Sequence, residues 1–542
     1  MKENYIKQSP MLSLPSLGGG ANTSLHQGSQ EENYWVSTFG DVGYKENFIP
    51  RSVDVDKTTG AVYTLGSFTH SAGVYNQQYT DDLFLLKWDK NGNIEWQRSI
   101  GSTGNSKSDR GYTVKIGLVG DVYFSAYTFD NSFSGQNGPN WLIGKMNNNG
   151  TLQWMRIVGG SGSEDLYNMY LGNADAIYCC GMTNGSIWYS NNWGLVARFS
   201  PSTGILQWVR YFGNSGSNRD TETYSIAVNS SGDYHIACTH QDSGAKTVLA
   251  KYDNYNNRYW GEILNTGVTA AKLDIALDTG GNVYMVSALN YSGQDISVTK
   301  WNSGGTRQWH YIIDSSSGFS LTPRAIDVDV SGNIYITGSG YIDPNQDGQF
   351  DAPVLKLSNS GVTILSQLGL GVASSQSTTG TNTNPLFRND EAYDITVTDN
   401  AIYLCGTTES LDTNSASTTG GTQNYKGFVA KIPNDDGATL TGVYDVSANS
   451  SSNSLRYMTY GGLGTVGGVT YSPTSQTTDY TSTSMGLYQT ALTFTTGSLS
   501  SNINEYDATS AFDIDTTINF NPTHYAIDGV TGYTTGQHPA FP

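Results

Sequence analysis

One short line of sequence recurs seven times along the chain. A chain that repeats itself at this spacing folds as a stack or ring of like units. The line reads DLFLLKWDKNGNIEWQRSIG at 82–101, WLIGKMNNNGTLQWMRIVGG at 141–160 and GLVARFSPSTGILQWVRYFG at 194–213, with weaker copies at 247–264, 296–313, 352–369 and 427–444. Each copy is an apolar strand, an Asn/Gly-rich turn suited to the positive φ of tight hairpins, and a second strand that usually carries Trp. A second line alternates with it, from SVDVDKTTGAVYTLG at 52–66 to AYDITVTDNAIYLCG at 392–406, again in seven copies. Its period-two alternation and Gly-Asn or Gly-Asp turns mark another hairpin.

Two hairpins make one four-stranded antiparallel sheet. Seven such sheets, at intervals of about 50 to 75 residues, predict an all-β, seven-bladed β-propeller. Radial packing covers both faces of every blade, which suits apolar strands with little helical periodicity. The fragment YWVSTFG at 34–40 resembles the Trp-bearing strand WVRYFG and is expected to complete the seventh blade, removing the open edge. The domain reading is an N-terminal extended arm over 1–32, the propeller over 33–446, and a C-terminal β-rich extension over 447–542. Gly18, Gly19 and Gly20 supply a hinge in the arm. No apolar run of signal-peptide length is seen near the start, and no stretch is long and apolar enough to span a membrane as a helix.

Composition narrows the partners. The formal charge is −19 with a pI near 4.6, so the chain lacks the cationic footprint of a nucleic-acid binder. Aromatics make up 12% of the residues, which argues against disorder. Four cysteines in 542 residues do not make a disulfide framework.

DVDVSGNIYITGSG at 327–340 and DTGGNVYMVS at 278–287 resemble the SBBP-type seven-bladed propeller repeat, whose pattern is D-x-x-GN-[IV]-Y-[IV]-TG followed by an apolar-K strand. The resemblance covers roughly residues 33–445. It implies the fold strongly and the activity weakly, since fold alone does not license function. Similar proteins are bacterial surface modules and virion components of tailed bacteriophages. The resemblance therefore implies a structural virion protein of the tail, a fibre or a surface appendage, located in the virion. Its partners would be other virion proteins or copies of itself, with a role in host attachment. The alternative is a bacterial cell-surface propeller that binds glycan or protein. No catalysis is expected, although a paired-carboxylate glycosidase has no residue pattern that excludes it.

The sharpest local motif is DPNQDGQFD at 343–351. Asp343, Asn345, Asp347, the Gln349 carbonyl and Asp351 sit at EF-hand-like spacing around Gly348, which points to a structural Ca²⁺. Position twelve is Val354, so the bidentate Glu is missing; an acidic solvated loop is the competing reading. The repeated cation (Lys87, Lys145, Arg198, Lys251, Lys300, Lys356, Lys431) is expected to be a solvated or snorkelling side chain at the sheet rim. The repeated Trp (Trp96, Trp154, Trp208, Trp309) is expected to pack between blades rather than mark a quinone site. Cys179 and Cys180 are expected as small buried residues on opposite strand faces, and His235 with His240 lacks the further ligands zinc needs. The segment 465–542, almost free of Lys and Arg, alternates apolar and polar residues in LYQTALTFTTGSL and AFDIDTTINFN. It is expected to form a β appendage at an assembly interface.

Overall fold

The computed structural model describes residues 35–39, most of 48–434 and six short strands between 441 and 527. Residues 1–34, many inter-strand loop tips and most of the C-terminal segment lie outside the described residues, and the predicted N-terminal arm lies there with them.

Seven four-stranded antiparallel blades make the propeller. Blade 1 runs Phe48–Val55, Val62–His70, Thr80–Trp88 and Ile94–Ile100 from the inside outward. The innermost strands of blades 2 to 7 are Asp109–Ile116, Glu164–Leu171, Thr221–Val228, Leu273–Leu277, Ser320–Val328 and Asp390–Val397. The second sequence line thus builds the inner hairpin of each blade, and the first line builds the outer one. Asn173–Asp175 is a single 3-10 turn, with no other helix among the described residues.

The seventh copy of the first line contributes only one strand to its blade, Lys426–Pro433. The fourth strand of blade 7 is Trp35–Phe39, which pairs antiparallel with it and sets Trp35 opposite Lys431. The closing strand is thus the expected one, and Thr441–Val446, the second half of the seventh copy, runs parallel to Ile364–Gly371 on the outside of blade 6. Of the expected C-terminal strands, LYQTAL overlaps Met485–Ala491, while AFDIDTTINFN lies outside the described residues.

The turns explain the D-x-x-GN signature. Asp278 Oδ1 accepts the amides of Gly280 and Asn282 at 2.9 Å each, and Asn282 Nδ2 donates to Asp278 Oδ2 at 2.7 Å. Gly281 between them has φ +75, which a residue without Cβ adopts at no steric cost. Asp89, Asp253 and Asp329 repeat the arrangement.

The repeated cation is buried in four blades (Lys87, Lys251, Lys356 and Lys431) and half-buried in the other three, rather than solvated at the rim. In every blade it sits in the third strand, between an aromatic of the second strand and, in six blades, a Trp of the outermost one. The rows are Tyr63–Lys87–Trp96, Tyr123–Lys145–Trp154, Tyr178–Arg198–Trp208, His235–Lys251–Trp260, Tyr284–Lys300–Trp309 and Tyr403–Lys431–Trp35, with Ser366 replacing Trp beside Tyr335–Lys356. Lys356 and Lys431 are only 5% exposed. Such cations are held by ring faces and by the next blade: Lys87 lies 5.4 Å from the Tyr63 ring centroid, and Lys356 lies 5.1 Å from that of Tyr335.

Six of the rows lean on the outer hairpin turn of the following blade, and in blade 3 Tyr178 reaches the inner turn of blade 4 at Gly232 instead. From blade 1, the Tyr63 hydroxyl (2.8 Å) and Lys87 Nζ (2.5 Å) both donate to Asn148 Oδ1, and Trp96 Nε1 donates to the Asn148 carbonyl at 2.9 Å. From blade 6, Tyr335 and Lys356 converge in the same way on Asn434 Oδ1. The indoles cover the turn glycines, Trp35 over Gly92 and Trp154 over Gly204, where a Cβ would come within 2.7 Å and 2.4 Å of the ring. The expected inter-blade role of Trp is therefore observed. One apolar cluster fills each of the seven blade junctions. Leu65, Phe124 and Leu142, for example, meet between blades 1 and 2, and Leu404, Phe428 and Tyr335 meet between blades 6 and 7.

Cys179 and Cys180 are both fully buried and free, one in the junction with blade 2 and the other in the junction with blade 4, as alternating strand residues must be. The Trp35→Ala protein is expected to lose about 3–5 kcal/mol of stability in denaturant unfolding, because it strips both the closing strand and the Gly92 turn of their shared contact.

Candidate functional site

The ring encloses an axial cavity of about 910 Å³, walled by the innermost strands. Two structural devices shape it, a belt of short polar side chains and a collar of large ones.

The belt comes from positions two residues apart on these strands, so the side chains share one face. Asp394 of blade 7 accepts from the Ser52 hydroxyl at 2.8 Å and the Val53 amide at 3.0 Å, both of blade 1. Asp54 of blade 1 accepts the Ile116 amide of blade 2 at 2.8 Å. Ser225 of blade 4 donates to Asp274 of blade 5 at 2.5 Å. Asp274 in turn accepts the Ile326 amide of blade 6 at 3.0 Å. Asp327 of blade 6 accepts the Val397 amide of blade 7 at 2.7 Å. The second oxygen of each carboxylate takes the amide of the residue that follows it in its own strand. Each aspartate therefore clamps two adjacent blades.

Lys115 of blade 2 projects into this belt. Burial opposes its charge, but Asp54, Asp394 and Asp327, from three different blades, together raise its pKa. Burial pushes the Asp274 carboxyl up to about 7 and that of Asp327 up to about 6, against the pull of their hydrogen bonds. Asp394 is shifted upward for the same reason.

The collar comes from a repeated irregularity. Among the described residues, six innermost strands carry a β-bulge at the same place, and the extra residue is Arg51, Tyr112, Tyr167, Tyr224, Arg324 or Tyr393. A bulge turns its residue out of the alternation, which here directs it into the cavity wall. The glycine of the -TG- in the repeat lies opposite the bulge. A Cβ on Gly338 would sit 1.9 Å from the Thr322 carbonyl oxygen, and one on Gly406 2.0 Å from that of Glu391, so only glycine fits.

The collar has two sides. Over blades 6, 7, 1 and 2 a guanidinium–ring ladder forms: Arg324 lies 4.5 Å from the Tyr393 ring centroid, and Arg51 lies 5.8 Å from that of Tyr393 and 5.7 Å from that of Tyr112. Over blades 3 and 4, Tyr167 and Tyr224 stack with centroids 4.7 Å apart, backed by Asp165 and by Glu222, which accepts the Tyr224 hydroxyl. Burial, then the neighbouring Glu222 charge, raises the Asp165 pKa.

The residues singled out in the sequence do not build this site. Asp343, Asn345, Asp347, Gln349 and Asp351 all lie outside the described residues. His235 occupies the tyrosine position of the repeat opposite Lys251, and burial followed by the Lys251 charge lowers its pKa to about 3. His240 Nδ1 pairs with the Thr221 hydroxyl at 2.8 Å. Among the described residues no cluster of three or more His, Cys, Asp or Glu is arranged to hold a metal. Reading the sequence missed both belt and collar. The belt's signal was the aspartate inside SVDVD, LDIAL, AIDVDV and AYDITV.

No protein-family model matches the chain, and no curated protein does. The SBBP and phage-tail resemblances are therefore without support from relatives. Solved structures similar to it include a Dyadobacter fermentans protein of unknown function, at 11% identity and TM-score 0.37, covering 73% of this chain and 98% of that one. An ulvan lyase of polysaccharide lyase family PL25 has 12% identity and TM-score 0.39, covering 67% and 92%. A Hadza microbial sialidase has 11% identity and TM-score 0.34, covering 67% and 63%.

The belt makes stability depend on pH. A carboxyl whose folded pKa exceeds its unfolded value stabilises the fold fully only below the unfolded value, near 3.8, and this contribution is lost as pH rises through about 6 to 7. The Tm is expected to fall between about pH 4 and pH 7. Asp274→Asn lowers Tm overall, by spoiling one clamp, and flattens that slope.

Proposed function

We propose that the chain is a glycan-binding β-propeller module that takes its ligand at the tyrosine–arginine collar. The observation that carries this reading is the placement of six bulged residues, four of them Tyr, around one concavity. Tyrosine offers a flat apolar face for the C–H side of a sugar ring and a hydroxyl for its polar edge, at little cost in side-chain entropy. The volume of about 910 Å³ suits a few sugar residues. Protein partners instead cover broad, flatter surfaces of about 800 Å² per side.

The belt beneath supports a binding role over a catalytic one. In Asp54, Asp274, Asp327 and Asp394 one oxygen accepts a hydrogen bond from a neighbouring blade and the other accepts the next amide of its own strand, so each carboxylate is committed to the ring. Virion location rests on the sequence resemblance alone, and the ring geometry does not bear on it. Calcium at 343–351 is likewise a separate proposal: Ca²⁺ is expected to raise the Tm of the full chain, and Asp347→Asn to remove that rise.

A glycan array probed with the full chain tests the collar. Binding is expected, and Tyr167→Ala or Tyr393→Ala should weaken it by roughly tenfold in titration calorimetry, as for an aromatic anchor. An array without hits, or hits untouched by both substitutions, would overturn the reading.

A further inference from the structure

We propose that the ligand of the collar is an acidic glycan and that Arg51 takes its carboxylate or sulfate group; this rests on the reading of the collar as a glycan site. Two arginines, Arg51 and Arg324, line the basic side, and a third, Arg110, lies over the Tyr127 ring outside the lining. Arg110 is paired with Asp81 at 2.6 Å, and Arg324 with Glu391 at 2.7 Å. Arg51 differs. Its guanidinium is flanked by the rings of Tyr112 and Tyr393 and has no acidic partner among the described residues; its Nε, like that of Arg324, is buried without a hydrogen-bond partner.

A guanidinium held in this way is suited to an anion. Its planar fork matches the paired oxygens of a carboxylate or sulfate, and a buried donor without an acceptor is costly until one arrives. The two rings restrain the plane in advance, so little side-chain freedom remains to be lost on binding.

The opposite side of the collar limits how acidic the ligand is. Asp165 and Glu222 flank the Tyr167–Tyr224 stack and oppose a second anion there, with Glu222 already accepting from Asn192 and the Tyr224 hydroxyl, which leaves the ring faces for neutral parts of a ligand. A net charge of −19 also opposes a dense polyanion such as a nucleic acid. The chemistry that fits both sides is a sugar chain with separated acidic groups, one acid on Arg51 and neutral hydroxyls toward blades 3 and 4.

The test uses the full chain in titration calorimetry with four probes: galacturonate oligomers, sulfated galactan oligomers, and the carboxyl-reduced or desulfated counterpart of each. At least one acidic probe is expected to bind more tightly than its neutral counterpart. Arg51→Gln should reduce that preference by about tenfold to a hundredfold, and Arg51→Lys should retain part of it. Melting curves of both variants confirm the fold. The carboxylate and sulfate arms tell the two acidic sources apart. Equal binding of acidic and neutral probes, or a preference unchanged in Arg51→Gln, overturns the role of Arg51 while leaving the collar reading intact if Tyr167→Ala still weakens binding. Failure of all four probes to bind overturns the collar reading together with the proposal.

Discussion

The cross-strand row of aromatic, cation and indole is the interaction on which the ring depends. A blade is a twisted sheet with two apolar faces, and apolar contact alone would let neighbouring blades slide over one another. The row prevents this. Three side chains of blade 1 end on Asn148 of blade 2, so the junction has a defined register as well as a buried area. The cation is suited to this place because its stem packs among apolar residues while its charge is shared between a ring face and a turn carbonyl or amide.

The inner wall repeats this logic with different chemistry. Bridging aspartates link the innermost strands through backbone amides, which frees the bulged residues above from any load in the ladder. Collar residues can then vary between Tyr and Arg without disturbing the blades. This separation of holding from presenting is why the repeat tolerates different side chains at one position and keeps glycine opposite the bulge at Gly66, Gly181, Gly338 and Gly406.

The propeller, its blade count and its closure from the N-terminal side were legible in the sequence, because hairpin turns and strand alternation are local signals. The Trp repeat was legible for the same reason. The buried lysines were not, since a Lys on a strand is normally solvated, and only the alignment of three strands shows what encloses it. Bulges were invisible as well. They exist only as a mismatch between paired strands, which no local pattern around Arg51, Tyr112 or Tyr167 records. The belt aspartates were in plain view within the repeat, yet their partners lie one blade away, some 50 or more residues along the chain.

The closing strand sets a condition on how this chain comes to exist. Trp35–Phe39 leaves the ribosome first among the blade strands, and its partner Lys426–Pro433 follows roughly 400 residues later. Until then the nascent chain carries an unpaired strand at one end and an unfinished sheet at the other, both open to pairing with other molecules. Completion is therefore a single late event that reports on the whole chain. A product truncated before Lys426 keeps two exposed edges, and only a molecule that reaches Pro433 has none at the seam.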